Sequence, residues 1–227
     1  HTLAPILDIS RDPRMGRQGE TYGEDPTLAS VMGVAYTRGI QSGKTNQRRG
    51  EAVAKHFLGS HHTQGGIHGT DAEISERTLK EIYGKPFQAS ISEAQLRGIM
   101  PCYNSINGEP VSASMELLTT LLRDEMGFDG ITVSDYSAIS NIHNVQKVCD
   151  SLEEAGLRSM SAGMDMELPS QSCFNEELGE WFKSEKADIE VLNQAVKRVL
   201  TAKFRMGLFE NPFALEGDEL KDEFYNK

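Results

Sequence analysis

Cysteine, long apolar runs and clusters of positive charge are all scarce in this sequence. The three cysteines, Cys102, Cys149 and Cys173, are odd in number and widely spaced, which fits neither a disulfide framework nor a zinc site. No apolar stretch reaches the length of about 18 residues that a membrane-spanning helix needs. The net charge is −11 and the largest basic cluster is the pair Arg48–Arg49, which disfavours nucleic acid and membranes as partners. A neutral substrate such as a sugar is compatible with this charge.

The chain has 227 residues, of which 38% are hydrophobic and 25% charged, enough to bury the core of one large domain. It has no initiator methionine and no charged segment followed by an apolar one, so we expect no signal peptide here and a longer parent protein. The sequence does not distinguish a cytoplasmic from a secreted protein. Four histidines lie close together, but their spacing matches no zinc pattern and no carboxylate completes a ligand set, so we predict no metal: His56, His61, His62 and His68.

Five apolar runs each end in polar residues and precede a helix-like segment. The runs cover 3–9, 52–57, 98–103, 130–134 and 162–168. The helical segments are expected from Asp25–Pro26, over 75–83 with a break or restart at Pro86, over 114–126, within 145–161 and over 188–206. The last segment has the clearest period, with an apolar face of Ile189, Leu192, Val196, Val199, Leu200 and Phe204. Strand alternating with helix predicts a parallel α/β sheet or barrel.

Polar residues follow four of these runs: Lys55–His56, Tyr103–Asn104, Asp135–Tyr136, and Asp165 with Glu167. In a parallel barrel these positions line the C-terminal mouth, where active sites are built. Asp135 follows a β-branched run, so a buried strand would hold and partly desolvate its carboxylate, as a nucleophile requires. Capping of the next helix is the alternative role for Asp135.

Other candidate residues also allow two interpretations. Lys55 and His56 could donate to vicinal sugar hydroxyls, or could form an ion pair and a packed histidine. A strand-end lysine could instead form a Schiff base, which defines a lyase hypothesis. Arg17 could clamp a ligand or pair with a nearby carboxylate such as Glu20. Trp181 is expected in core or domain packing.

Eight stretches, in order along the chain, resemble glycoside hydrolase family 3 in its β-glucosidase-like branch. They lie at residues 4–17, 23–26, 55–57, 103–108, 127–130, 133–136, 162–167 and 203–212. Lys-His-Phe at 55–57 and Val-Ser-Asp-Tyr at 133–136 are two of these motifs. The resemblance implies an α/β fold, namely a (β/α)8 TIM-barrel-type domain. It also implies an enzyme that hydrolyses terminal β-linked sugars with retention of configuration and needs no cofactor.

The resemblance also implies roles for single residues. Asp135 would be the catalytic nucleophile, and Tyr136 would lie beside it. His68 matches the histidine of an Asp/His pair found in the N-acetylglucosaminidase branch, but Gly66 stands at the Asp position, so that pair is broken. The residues that would bind the sugar are Arg17, Lys55, His56 and Tyr103, with Tyr136 and His68 as further substrate-binding candidates.

Two departures from the family pattern define what we expect to be missing. Only about five β/α units are present, so we predict a partial barrel catalytic domain over 1–210 and a linker over 211–227 toward an absent C-terminal domain. In β-glucosidase-like members a Glu from that domain supplies the acid/base, which we therefore expect outside this chain. β-Glucosidase ranks first as the activity, with β-xylosidase or another exo-β-glycosidase next. The alternative is an inactive carbohydrate-binding or scaffold fragment of the same fold.

Overall fold

The structure, a computed structural model, describes residues 1–42 and 50–213. Its strands are β1 (Val53–Phe57), β2 (Asp71–Ala72), β3 (Gly98–Pro101), β4 (Ser105–Ile106), β5 (Glu109–Pro110) and β6 (Ile131–Thr132). β1, β3 and β6 form a parallel sheet in that order. Isolated parallel bridges extend this sheet on both sides, between Thr2 and Ala52, Ile6 and Lys55, and Val133 and Met166. The five apolar runs therefore lie side by side in chain order, which confirms the predicted α/β fold with part of a parallel barrel.

A second, smaller sheet lies in the connections that follow β1 and β3. β2 pairs with β4 in parallel, and β4 pairs with β5 across an antiparallel hairpin. The hairpin turns at Asn107–Gly108, where both residues have positive φ, 50° and 87°. Asn-Gly is the residue pair that tolerates this turn best, because it adopts the left-handed region at little cost.

The helices are α1 (Pro26–Gln41), α2 (Glu76–Thr78), α3 (Lys85–Ala94), α4 (Ala138–Asn144), α5 (Leu152–Ala162), α6 (Glu176–Lys183) and α7 (Ile189–Arg205), and two further segments, Leu79–Tyr83 and Glu116–Glu125, are π-helical. The caps predicted from sequence are present: the Asp25 carboxylate accepts from the Thr27 and Leu28 amides, and Pro86 lies in the first turn of α3. Among the described residues, no helix is long and apolar enough to cross a membrane.

Two boundaries differ from the predicted pattern. α4 was not predicted. Ser137 at its N-terminus is a residue type that often caps helices, but it has a φ of 61° and makes no side-chain cap. The predicted fifth run begins too early, since Ala162 is the last residue of α5 and Gly163 ends that helix in the left-handed conformation. The fifth strand-like segment is therefore short and centred on Met166.

The main core lies around the parallel sheet. Its largest fully buried side chains include Leu7, Ile9, Phe57, Phe87, Ile99, Leu118 and Ile139. The predicted apolar face of α7, by contrast, is largely uncovered, with Ile189, Val196, Leu200 and Phe204 between 45% and 65% exposed. Most of the predicted linker over 211–227, and the pair Arg48–Arg49, lie outside the described residues.

Candidate active site

Asp135 lies just beyond the carboxyl end of β6, where the sequence pattern placed it. Backbone bonds hold the segment before it, because the Val133 amide donates to the Ile99 carbonyl at 2.9 Å and the Ser134 amide to the Met166 carbonyl at 2.9 Å. The Tyr136 amide donates to Asp135 Oδ1 at 2.7 Å. The side chain is 13% exposed, so its carboxylate is partly desolvated and still reachable from the mouth of the barrel.

His56, on β1, lies between Asp135 and a second carboxylate that the sequence analysis did not select, Asp8. His56 Nε2 is 3.5 Å from Asp135 Oδ2, and His56 Nδ1 is 2.7 Å from Asp8 Oδ2. The His56 amide also donates to Asp8 Oδ1 at 3.3 Å. The side chains of His56 and Asp8 are only 3% and 1% exposed. His61, 1% exposed, approaches the same Asp8 oxygen to 3.9 Å.

Arg17 forms a two-point ion pair with Glu20. Its Nε donates to Glu20 Oε1 at 2.8 Å and its Nη2 to Glu20 Oε2 at 2.7 Å. The hydrogen bonds to Glu20 raise the pKa of Arg17, and the negative charges of Asp8 and Asp135 act in the same direction. Arg17 is thus paired with a carboxylate, as one interpretation expected, and lies close to the candidate nucleophile, whereas its binding of a ligand stays a prediction.

Lys55 belongs to the same electrostatic cluster. The hydrogen bonds from Arg17 lower the pKa of Glu20, and the nearby positive charges of His56 and Lys55 add to that effect. Lys55 itself is half-buried.

Tyr103 comes from the segment after β3 and lies beside Asp135. Its hydroxyl donates to the Tyr136 carbonyl oxygen at 2.8 Å. Burial raises the pKa of Tyr103, and the charge of Asp135 adds to the increase, so the phenol keeps its proton at neutral pH. Gln146 fixes this segment by donating from Nε2 to the Tyr103 carbonyl at 3.1 Å and to Ser105 Oγ at 3.3 Å.

A cavity of about 330 Å³ opens next to these residues, lined by His68, Gly69, Tyr103, Tyr136, Asn141, Val145 and Gln146. Tyr136 is 54% exposed at its rim. The His68 ring meets the Tyr103 ring edge to face, with centroids 5.0 Å apart. Partial burial in this packing lowers the pKa of His68, an effect that solvent at its exposed side reduces.

Gly66 has a structural reason for lacking a side chain. Its φ is +72°, and a Cβ there would meet the Cβ of Arg14 at 2.5 Å. An aspartate at position 66 would meet Arg14 in this loop conformation, so this position does not supply the missing partner of His68.

Asp165 does not line the mouth, contrary to the sequence-based expectation. Asp165 is buried and accepts hydrogen bonds from the Thr132 amide at 2.9 Å, Arg123 Nη2 at 3.0 Å and Arg198 Nε at 2.6 Å. Glu167 accepts from the backbone amides of the following loop at Cys173 and Phe174. Both carboxylates stabilise the fold.

The sequence analysis placed Arg17, Lys55, His56, Tyr103 and Asp135 in one site, and the structure brings them together with Tyr136 and His68. It missed Asp8 and the anchor Gln146. The available signal for Asp8 was a single acidic residue within an otherwise apolar run. Across 1–42 and 50–213, no group of three or more His, Cys, Asp or Glu side chains is arranged to hold a metal ion.

The sequence model described as the glycosyl hydrolase family 3 N terminal domain matches residues 1–202. The chain belongs to glycosyl (glycoside) hydrolase family 3. This family 3 chain is 37% identical to a beta-xylosidase of Formosa agariphila and 35% identical to a periplasmic beta-glucosidase of Salmonella typhimurium, covering 92% and 97% of its own length. It also resembles the crystal structure of a beta-glucosidase from Listeria innocua, with 33% identity, a TM-score of 0.90 and 97% of this chain covered.

The family 3 chain spans only about a third of these proteins: 30% of the Formosa relative, 29% of the Salmonella relative and 31% of the Listeria structure. The matched part contains the barrel strands that carry Asp135 and its neighbours.

Proposed function

We propose that this family 3 domain provides the nucleophile and the terminal sugar subsite of an enzyme that hydrolyses β-linked glycosides with retention of configuration. The observation that supports this most directly is the Asp135 carboxylate. It is partly desolvated at a strand end, fixed by the Tyr136 amide, and surrounded by the guanidinium of Arg17, the imidazole of His56 and the hydroxyl of Tyr103.

In this mechanism Asp135 attacks the anomeric carbon of the terminal sugar and forms a glycosyl-enzyme intermediate that water then hydrolyses. The hydrogen bonds to Glu20 and, to a smaller extent, the charge of Asp135 raise the pKa of Arg17, so its guanidinium stays positively charged beside the nucleophile. Lys55 donates to a sugar hydroxyl and His56 Nε2 accepts a hydrogen bond from one, and such hydrogen bonds accelerate the reaction when they strengthen in the oxocarbenium-like transition state. The neutral Tyr103 phenol borders the same subsite.

The leaving group would lie in the cavity lined by Tyr136 and His68. A volume of about 330 Å³ accommodates one further sugar ring or an aryl group. The exposed Tyr136 ring offers an apolar face on which a sugar or aryl ring can stack. Glucosides are the first expected substrates and xylosides the second, and the relatives include proteins named for each activity.

A retaining mechanism also needs an acid/base carboxyl group about 5–5.5 Å from the nucleophile. Within the described part of the chain, Asp8 is buried against His56 and Glu20 is bound on both oxygens by Arg17. Neither is free to protonate a leaving group. We therefore propose that a Glu outside this chain supplies the acid/base, as the family resemblance implies.

Trapping with a 2-deoxy-2-fluoro glycoside tests the nucleophile directly. In the full-length protein, peptide mass spectrometry should find the sugar on Asp135, and Asp135→Asn should abolish both labelling and turnover of nitrophenyl β-glycosides. Asp150→Asn, which changes an exposed carboxylate, serves as the control and should retain both. Labelling of another residue would refute the assignment. Sugar binding without turnover of activated aryl glycosides would favour the inactive carbohydrate-binding alternative.

A further inference from the structure

Asp8 is a buried carboxylate for which the proposed reaction has no direct use. It follows an extended segment that pairs with β1, where the Leu7 amide donates to the Lys55 carbonyl at 2.6 Å and the Lys55 amide to the Pro5 carbonyl at 2.9 Å. This pairing places Asp8 beside His56. The Asp8 side chain is 1% exposed, so a sugar at Asp135 cannot touch it.

Two donors of a single residue converge on the two oxygens of Asp8. His56 Nδ1 lies 2.7 Å from Oδ2, and the His56 amide donates to Oδ1 at 3.3 Å. An ionised carboxylate only accepts hydrogen bonds, so the proton of this contact belongs to His56 Nδ1. The ring then presents Nε2 toward Asp135, at 3.5 Å.

We propose that Asp8 is a positioning residue that fixes the ring orientation and the Nδ1 proton of His56, so that Nε2 faces Asp135 and the sugar hydroxyl. The effect on catalysis rests on the proposed function, whereas the proton assignment does not. His61 closes the other side of Asp8 at 3.9 Å, and both rings are almost completely buried, which leaves the Asp8–His56 contact little room to rearrange.

The proposed role of Asp8 requires a carboxylate, and an asparagine of the same shape cannot replace it. Asparagine at position 8 would have one acceptor oxygen and one NH2 group for the two donors of His56. If its oxygen accepts from the His56 amide, its NH2 group faces Nδ1. That arrangement removes the proton from Nδ1 and moves it to Nε2, which changes the group that meets Asp135.

The proton assignment can be measured without any turnover. In ¹⁵N NMR spectra of the wild-type protein at neutral pH, His56 Nδ1 should give the signal of a protonated nitrogen. In Asp8→Asn the Nδ1 signal should move to that of an unprotonated nitrogen. A wild-type His56 with no proton on Nδ1 would overturn the proposal, and this result does not require the variant to fold.

Kinetics of the full-length protein test the consequence for catalysis. Asp8→Asn should lower kcat/KM for a nitrophenyl β-glycoside by about 10- to 100-fold, the range for losing one hydrogen bond to a charged group. In a His56→Asn background the same change should cost less than about 3-fold, because Asp8 acts through His56. Losses that multiply would show that Asp8 acts independently and would overturn the proposal.

Asp71→Asn is the matched control, since Asp71 accepts one backbone bond, from the Gly108 amide at 2.8 Å, which an asparagine oxygen can also accept. It should leave kcat/KM unchanged, and a loss as large as that of Asp8→Asn would overturn the proposal. If the wild-type protein turns over no glycoside, the proposed function fails, while the NMR result still decides the role of Asp8.

Discussion

Asp165→Asn tests whether the buried ion cluster next to β6 stabilises the domain. The Asp165 side chain is 0% exposed and is bonded to Arg123 and Arg198, whose side chains are 13% and 23% exposed. Removing one partner of a buried ion pair costs about 3–5 kcal/mol, because the remaining charges stay desolvated and unpaired. Arg198 is partly exposed, and the asparagine oxygen can still accept one hydrogen bond. We therefore expect the free energy of unfolding to fall by an amount near the lower limit, about 3 kcal/mol.

Urea unfolding followed by the fluorescence of Trp181, the one tryptophan of the chain, measures this loss. In thermal unfolding we expect a midpoint lower by about 6–12 °C for a domain of this size. Asp129→Asn is a matched control, because Asp129 also bonds two arginines, Arg97 and Arg205, but is 59% exposed. It should cost less than about 1 kcal/mol. Equal losses in the two variants would refute the argument from burial.

Three further predictions concern pH, thiols and the loop after β1. Burial lowers the pKa of His61 below its usual 6.5. The neutral ring therefore contributes stability above pH 6.5, and this contribution is lost as the pH falls below 6.5. Between about pH 7 and about pH 5 the midpoint of thermal unfolding should fall less steeply in His61→Gln than in the wild type. Burial raises the pKa of Cys102 to about 12 and all three thiols are buried, so a thiol reagent should label none in the native protein and three after unfolding. Gly66→Ala should lower the free energy of unfolding in urea by about 1–3 kcal/mol, because Gly66 has a positive φ and its new Cβ would contact Arg14. Gly19→Ala is the control and should cause no such loss, since nothing lies within 4 Å of a Cβ at that position.

The strand-end pattern predicted the site because parallel strands deliver their last residues to one edge. Asp135, His56 and Tyr103 come from three strands that are neighbours in the sheet, so their order along the chain was enough to bring them together. The pattern did not reveal the partners that hold these groups. Asp8 and Gln146 each make two hydrogen bonds, whose geometry depends on the folded chain.

Asp165 shows why position after an apolar run does not fix the direction of a side chain. The run at 162–168 begins inside α5, so the strand-like segment starts later than its composition suggests. Asp165 consequently lies before the bridge at Met166 and is bonded to Thr132 on β6. A boundary error of a few residues thus led the sequence-based interpretation to place at the mouth a carboxylate that lies in the interior.

α7 shows a different limit of the same reasoning. Its period predicted the helix, and Asp188 caps it as expected, but the large apolar side chains of Val196, Leu200 and Phe204 are 45–65% exposed. The side of α7 that contacts β6 carries Ala202 instead, which packs with Ile131 and Val133. A small side chain lets a helix approach a sheet closely, and alanine contributes little to an apolar period. The spacing of apolar residues therefore identifies α7 as a helix, but it does not identify the side that faces the sheet, which carries the small residue Ala202.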